Sequence, residues 1–218
     1  MPRIPRGQIP GLAYHALNRG NGRATVFHKD ADYRAFCDLL YVAKKKFSVT
    51  LLGFCVMPNH FHLVLQPETP SALSAMMQWW LTSHVRRYHR HYHGSGHVWQ
   101  GRFKSFPIQQ DEHLLTVLRY VLLNPVRAGL VEPASHWPWS SLNPAYPPDP
   151  WPLEPPADWI LRWLATPLTD EELTRVRTCV NRQAPFGIPE WIARMASTLG
   201  LASTLRPRGR PRHSSSEK

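Results

Sequence analysis

The chain has 218 residues and carries 26 lysines and arginines against 15 aspartates and glutamates, which gives a formal net charge of +11. With 43% hydrophobic and 19% charged residues, the composition is that of a folded globular protein and excludes an intrinsically disordered one. The surplus of positive charge indicates a polyanionic partner, such as the phosphate backbone of a nucleic acid.

Composition also disfavours membrane proteins and disulfide scaffolds. The chain has no run of about eighteen apolar residues, so no membrane span is expected. Residues 1–10 form a basic arm that lacks the apolar core of a secretory signal. The three cysteines, Cys37, Cys55 and Cys179, have no Cys-x-x-Cys spacing, which favours a reducing compartment. We therefore expect a cytoplasmic, nucleoid-associated protein.

Residues 11–132 alternate between strand-like and helix-like hydrophobic periods and are expected to form one catalytic domain. Alternating apolar residues predict a strand at 60–66, and residues 12–18, 48–56 and 102–110 are also expected to form strands. Apolar residues three or four apart predict helices at 32–47, 71–92 and 112–123. The resulting order predicts an α+β fold of the ferredoxin-like βαββαβ type, an antiparallel sheet with helices on one face.

Residues 133–205 are expected to form a proline- and tryptophan-rich, partly helical extension. Its helical patterns lie around 157–165, 169–182 and 186–201. Residues 206–218 are a basic tail, expected to be disordered when free. Its Arg-Gly-Arg-Pro core, with Arg208 and Arg210, resembles an AT-hook that binds the minor groove of DNA. A solvated basic tail is the alternative.

His60 and His62 stand two residues apart on the predicted strand 60–66. Because side chains alternate along a strand, both imidazoles point to one face, where they can bind a divalent cation. A lone His-x-His pair is a weak signal, since many such pairs are structural. Cys55 offers an alternative zinc ligand, although the sequence shows no fourth ligand for it.

Tyr120 and Asn124 lie four residues apart and share a face of the predicted helix 112–123. Asp111 is the expected N-cap, and Pro125 limits the helix at its other end. A tyrosine oxygen beside a metal-bound phosphate can attack phosphorus, and an amide oxygen one turn on suits a hard cation. Tyr120 as an ordinary amphipathic core residue is the alternative.

Four segments, in this order along the chain, resemble one protein family. They are Asn18-Arg19-Gly20-Asn21, Val56-Met57-Pro58-Asn59-His60-Phe61-His62-Leu63, Gly96-His97-Val98-Trp99-Gln100-Gly101-Arg102-Phe103-Lys104-Ser105, and the stretch from Leu118-Arg119-Tyr120 to Asn124-Pro125-Val126-Arg127-Ala128-Gly129-Leu130-Val131. The chain resembles the single-tyrosine HUH transposases, in particular the REP-associated tyrosine transposases, from about residue 11 to residue 141.

The resemblance implies a ferredoxin-like fold and a specific chemistry. His60 and His62 would bind one Mg²⁺ or Mn²⁺, with Asn124 as third ligand, and Tyr120 would form a 5′-phosphotyrosine. Related insertion-sequence enzymes often have glutamine where this chain has the shorter Asn124, so that ligand is the least secure. The implied partner is single-stranded DNA bearing a hairpin, such as a REP-like palindrome, and the implied enzyme cleaves and rejoins it as a monomer.

Several cationic and aromatic residues are candidate DNA contacts. Arg19 lies in a glycine-rich loop, and the segment 96–105 interleaves aromatic and basic side chains that suit stacked bases and phosphates. The predicted contacts are Arg19, Arg86, Arg87, Trp99, Arg102, Lys104 and Arg127, together with Arg208 and Arg210 in the tail. Trp99 could equally belong to the core.

Three other functions remain open from the sequence. A catalytically silent protein could bind palindromes without cutting them. An RNA-binding ferredoxin-like domain would expose aromatics on its sheet, whereas here the polar face carries two histidines. A replication-initiator nuclease is disfavoured because the chain shows no helicase or origin-binding domain.

Overall fold

The computed structural model describes residues 8–153 and 159–206. The strands are β1 (Ala13–Arg19), β2 (Val49–Met57), β3 (His60–Pro67) and β4 (Lys104–Ile108). The helices are α1 (Asp30–Lys46), α2 (Ala72–Tyr92), α3 (Glu112–Leu122), α4 (Asn124–Arg127), α5 (Trp159–Ala165), α6 (Asp170–Arg182), α7 (Pro189–Thr198) and α8 (Ala202–Leu205). The predicted AT-hook residues, Arg208 and Arg210, lie outside the described residues.

The four strands form one antiparallel sheet in the order β2-β3-β1-β4. This order is produced by the predicted βαββαβ connections, and the α+β ferredoxin-like class is confirmed. Strand β4 is shorter than the predicted 102–110, because Gly101 lies in a turn at a φ of +64°. In the sheet register, Leu17 is paired with His62 and Arg19 with His60.

Each face of the sheet supports a separate hydrophobic core. Helices α1 and α2 cover the face that carries Phe61 and Leu63. Helix α3, which follows the βαββαβ unit, covers the opposite face, which carries Val64 and Phe106. The two helices of the unit therefore lie on one face, as predicted. With α3 in place, the described part of the chain offers no open sheet face for RNA, which removes support for that alternative.

Helix α3 begins and ends where the sequence indicates. The Asp111 side chain accepts a hydrogen bond of 2.9 Å from the backbone nitrogen of His113, which confirms the predicted N-cap. After Leu122 the chain forms the unpredicted short helix α4, with Pro125 in its first turn. Proline is tolerated there because first-turn N–H groups have no partner within the helix. This turn brings Arg127 back towards Tyr120.

The C-terminal extension occupies both outer strands of the sheet. Along β2, the Val56 nitrogen donates to the Trp139 carbonyl at 2.8 Å, and the Trp151 indole donates to the Leu52 carbonyl at 2.7 Å. Along β4, the Phe186 nitrogen donates to the Pro107 carbonyl at 2.9 Å. The extension thereby satisfies edge groups that an open strand would expose.

The extension also enters the core beneath α3. Trp163, Val176 and Phe186 belong to the same buried cluster as α3. Helix α6 begins with a capping box formed by Thr169 and Glu172. The predicted helix 186–201 begins later, at Pro189, because Phe186 is held extended beside β4. None of the helices in 8–153 and 159–206 is both long and apolar enough to cross a membrane.

Candidate functional site

The histidine pair and the tyrosine meet between the sheet and α3. His60 and His62 alternate with buried Phe61 on β3, so both imidazoles face α3, as predicted. Their ring centres are 5.1 Å apart. The Tyr120 ring centre lies 5.7 Å from that of His62, with the ring planes almost perpendicular at 89°. Two elements distant in the sequence therefore place the Tyr120 ring beside two imidazoles.

A neighbouring amide fixes the orientation of His60. The His60 Nδ1 atom lies 2.7 Å from Asn59 Oδ1, an oxygen that can only accept, so Nδ1 carries the proton. The Asn59 amide nitrogen donates to the Arg23 carbonyl at 3.0 Å, which holds the amide in this orientation. The proton on Nδ1 leaves the His60 Nε2 lone pair for a cation.

A third histidine, which the sequence analysis missed, contacts the pair. His15 lies on β1, next to β3, and its Nε2 atom is 2.8 Å from His62 Nδ1. The two ring planes are within 7° of parallel. His15 lies on the same side of its strand as Leu17, the register partner of His62, and this register is set by the pairing of β1 with β3 and not by local sequence.

Burial keeps the three imidazoles neutral. It lowers the pKa of His15 to about 3 and, together with the positive charge of Arg19, lowers that of His60 to about 4. The pKa of His62 is held well below its ordinary value by burial and then by the neighbouring His15 and His60. Neutral imidazoles keep the lone pair that a divalent cation requires, so His60 and His62 fit a metal site.

Tyr120 is 7% exposed, and two residues that follow it in the chain, Asn124 and Arg127, contact it. The Arg127 guanidinium lies 4.4 Å from the centre of the Tyr120 ring, and its Nη2 donates to the Tyr120 carbonyl at 2.6 Å. The Asn124 amide nitrogen donates to the carbonyls of Tyr120 and Val121 at 3.2 and 3.3 Å. Its nitrogen is thus used at the helix end, and its oxygen is the atom a metal would bind.

A polar groove runs from β1, the strand beside the histidine strand, towards α6. It has a volume of about 340 Å³. Its lining residues are Leu17, Asn18, Arg19, Gln100, Arg102, Lys104, Val180 and Asn181. Three of the predicted DNA contacts, Arg19, Arg102 and Lys104, therefore line one groove, and within it Arg19 is the register partner of His60 and Leu17 that of His62. The α6 residues show that the extension forms one wall of this groove.

The other predicted contacts lie elsewhere. Arg86 and Arg87 line a second groove, of about 430 Å³, on the outer side of α2, across the sheet from Tyr120. Trp99 is 5% exposed, and its ring packs 5.3 Å from that of Phe61. A side chain buried in this way offers no face for a base to stack on, so Trp99 belongs to the core and its prediction as a DNA contact was wrong.

The zinc alternative gains no support from the geometry. Cys55 is fully buried, and burial raises the pKa of its thiol well above the ordinary value, which disfavours the thiolate that zinc binds. Within the described ranges, one group of three acidic or histidine ligands converges, formed by Asp111, Glu112 and His113. Its contacts are explained by the N-cap of α3.

Comparisons with known proteins identify the family of the chain. A family model described as IS200-like transposase matches residues 8–124, more than half of the chain. The chain belongs to the IS200-like transposase family. The matched span contains His60, His62, Tyr120 and Asn124 of this transposase. The relationship to REP-associated tyrosine transposases expected from the sequence is confirmed by its relatives.

This transposase is similar to a Haemophilus influenzae protein described as a REP-associated tyrosine transposase, with 31% identity over 103 residues that cover 42% of this chain and 58% of the relative. It thus spans little more than half of that relative. An Escherichia coli K12 REP-associated tyrosine transposase is 22% identical over 134 residues, covering 61% of this chain and 77% of the relative.

A solved structure described as a REP-associated tyrosine transposase bound to a REP hairpin has a similar fold. The TM-score is 0.53 at 22% identity, and the match covers 65% of this transposase and 82% of the solved chain. The likeness supports the fold assignment made from the strand order.

Proposed function

We propose that this transposase is a metal-dependent enzyme that cleaves and rejoins hairpin-bearing single-stranded DNA through a covalent bond to Tyr120. The observation that carries the proposal is the distance of 5.7 Å between the ring centres of Tyr120 and His62, on the sheet face that also carries His60. A tyrosine, two neutral imidazoles and a basic groove meet at this one place.

The proposed cation is one Mg²⁺ or Mn²⁺. His60 and His62 would bind it through their Nε2 atoms, and Asn124 would add its amide oxygen. When bound, the cation supplies Lewis-acid polarisation of the scissile phosphate. The chain's own contribution is to hold two neutral imidazoles on one strand, with Asn59 fixing the ring of His60.

Tyr120 is the proposed nucleophile. Its Oη forms a bond to phosphorus while the P–O3′ bond breaks, the phenolic proton leaves Oη, and the released 3′ oxygen becomes a hydroxyl. The 5′-phosphotyrosine conserves the bond energy, so a second 3′-hydroxyl can displace Tyr120 and rejoin the strand without ATP.

Arg127 supports this chemistry from beneath the ring. Its guanidinium lies 4.4 Å from the centre of the Tyr120 ring and so packs against the ring of the proposed nucleophile. Its Nη1 atom is buried without a hydrogen-bond partner in the described part of the chain. A buried, unpartnered donor beside the nucleophile suits a phosphate oxygen, which supports the predicted role of Arg127 in DNA binding.

The proposed substrate is single-stranded DNA with a REP-like hairpin. Arg19, Arg102 and Lys104 would bind the unpaired strand in the groove beside the histidines, while Arg86 and Arg87 lie on another surface.

The chain's own extension packs against α3, so Tyr120 is placed beside the histidines of the same chain. This packing supports a monomer as the active species.

The proposal is tested by incubation with hairpin-bearing single-stranded oligonucleotides and Mn²⁺ or Mg²⁺, followed by a denaturing gel for a protein–DNA adduct. Wild type should form the adduct, and Tyr120→Phe, which keeps the buried ring, should form none while still binding the hairpin. Hairpin binding with no adduct in wild type, across both metals, would sink the catalytic proposal and leave the silent palindrome-binding protein.

A further inference from the structure

His15 occupies a position that the proposed chemistry does not yet explain. It is fully buried on β1, and its Nε2 atom lies 2.8 Å from the Nδ1 atom of His62. The Nδ1 atom of His15 is buried without a hydrogen-bond partner in the described residues. Burial of a polar group in this state costs free energy, which a phenylalanine at residue 15 would avoid.

A contact between two neutral imidazoles must have one donor and one acceptor. If the His62 Nδ1–H donates, the His62 Nε2 atom keeps its lone pair and faces the site as a ligand. If the His15 Nε2–H donates instead, the proton of His62 sits on Nε2 and blocks that ligand position. The direction of this single hydrogen bond therefore decides whether His62 can bind a cation.

We propose that His15 is a positioning residue that accepts a hydrogen bond from His62 Nδ1 and so holds the His62 ring in its metal-binding tautomer and orientation. This inference rests on the proposed function, because it assigns His62 as a metal ligand. Asn59 makes the equivalent contact to Nδ1 of His60 at 2.7 Å. Each ligand of the pair thus has its own hydrogen-bond partner behind it, in the arrangement that metal-binding histidines require.

Packing offers a competing explanation for His15. Its ring lies 4.9 Å from the Phe106 ring centre in an edge-to-face contact, a role that any aromatic ring could fill. Two variants separate the explanations. His15→Phe keeps the ring and removes the acceptor, whereas His15→Gln loses the ring and places an amide oxygen close to the Nε2 position.

Mn²⁺ affinity of the full chain, measured without DNA by calorimetry or by electron paramagnetic resonance, is the first readout. His15→Phe should weaken Mn²⁺ binding by about 10- to 100-fold, and His15→Gln should stay within a few-fold of wild type. Thermal melting of both variants reports any loss of folding. Equal Mn²⁺ affinity in wild type and His15→Phe would overturn the proposal, as would a larger loss in His15→Gln than in His15→Phe.

A second readout needs no variant. Long-range ¹H–¹⁵N correlation spectra of the metal-free wild type should show the His62 proton on Nδ1 and the His15 Nε2 atom without a proton. A proton on His15 Nε2 would overturn the inference. Wild type that binds Mn²⁺ and forms the Tyr120 adduct, while His15→Phe behaves identically, refutes the role of His15 alone. Wild type that neither binds Mn²⁺ nor forms the adduct refutes the proposed function together with it.

Discussion

Arg119 and Glu172 form an ion pair that joins α3 to α6, with the Arg119 Nη2 atom 2.6 Å from the Glu172 Oε1 atom. Arg119 immediately precedes Tyr120, so the ion pair attaches α3, the helix that carries Tyr120, to the C-terminal extension. The second carboxylate oxygen of Glu172 accepts a hydrogen bond of 2.8 Å from the Thr169 nitrogen. One glutamate therefore serves both the cap of α6 and the attachment of α3.

Two substitutions of Glu172 separate these roles. Glu172→Gln keeps a capping amide but removes the charge, and it should lower the free energy of unfolding by about 1 kcal/mol. Glu172→Ala removes both and should cost about 2 kcal/mol. Urea denaturation at low and high salt measures the free energy of unfolding of both variants. The loss in Glu172→Gln should be smaller at high salt, because salt screens the ion pair. No loss in Glu172→Gln would show that the ion pair contributes nothing, and identical losses in the two variants would show the same of the capping contact.

His84 gives a pH dependence that is separate from the metal ligands. It is 4% exposed on α2, and burial lowers its pKa to about 4. At a pH between about 4 and about 6.5, the unfolded chain binds more protons at His84 than the folded chain does. The contribution of neutral His84 to the free energy of unfolding is therefore fully present above about pH 6.5 and is lost as the pH falls towards about 4. His84→Phe should reduce that loss by about 1 kcal/mol per pH unit. Parallel stability curves for variant and wild type from pH 7 to 4.5 would contradict this.

Arg127 should affect chemistry more than DNA affinity. Its planar guanidinium both contacts the Tyr120 ring and donates to the Tyr120 carbonyl, and the lysine ammonium cannot reproduce this geometry. Arg127→Lys should slow adduct formation by about 10-fold and Arg127→Met by about 100-fold. Single-turnover rates at saturating oligonucleotide measure the effect. A change confined to DNA affinity, with the rate constant unaltered, would assign Arg127 to strand binding alone.

The two basic grooves should differ in the DNA they bind. Arg102 lies beside the histidines, whereas Arg86 lies across the sheet on α2. Arg102→Ala should weaken binding of an unstructured single strand and lower its salt slope by about 0.7. Arg86→Ala should leave that binding unchanged and weaken only the binding of oligonucleotides that have a duplex stem. Fluorescence anisotropy across a salt series measures how each variant binds the two kinds of oligonucleotide. If Arg86→Ala weakened binding of the single strand and Arg102→Ala did not, the roles assigned to the two grooves would be wrong.

Local periodicity was enough to predict most of the elements and the shared face of His60 and His62. Alternation along β3 placed His60 and His62 on one face, and the Asp111 cap with the apolar stripe identified α3. These features depend on residues close together in the chain, where side-chain direction follows directly from secondary structure.

Contacts set by distant pairing could not be predicted. His15 meets His62 only because β1 and β3 adopt one particular register. The basic neighbours of Trp99 left both a DNA contact and a core position open, and only the packing of its ring against Phe61 decides for the core. Arg127 contacts the Tyr120 carbonyl through the short helix α4, and Pro125 indicated only where α3 ends and not which way the chain continues.

The occupied outer strands have a consequence for self-association. A sheet with unpaired outer strands is a template on which other extended chains can add, including copies of the same protein. Here Trp139 and Phe186 already use the outward backbone groups of Val56 and Pro107. Strand addition at either side would first require the extension to detach. The segments of the extension that pack beneath α3 therefore also protect the sheet from edge-to-edge aggregation.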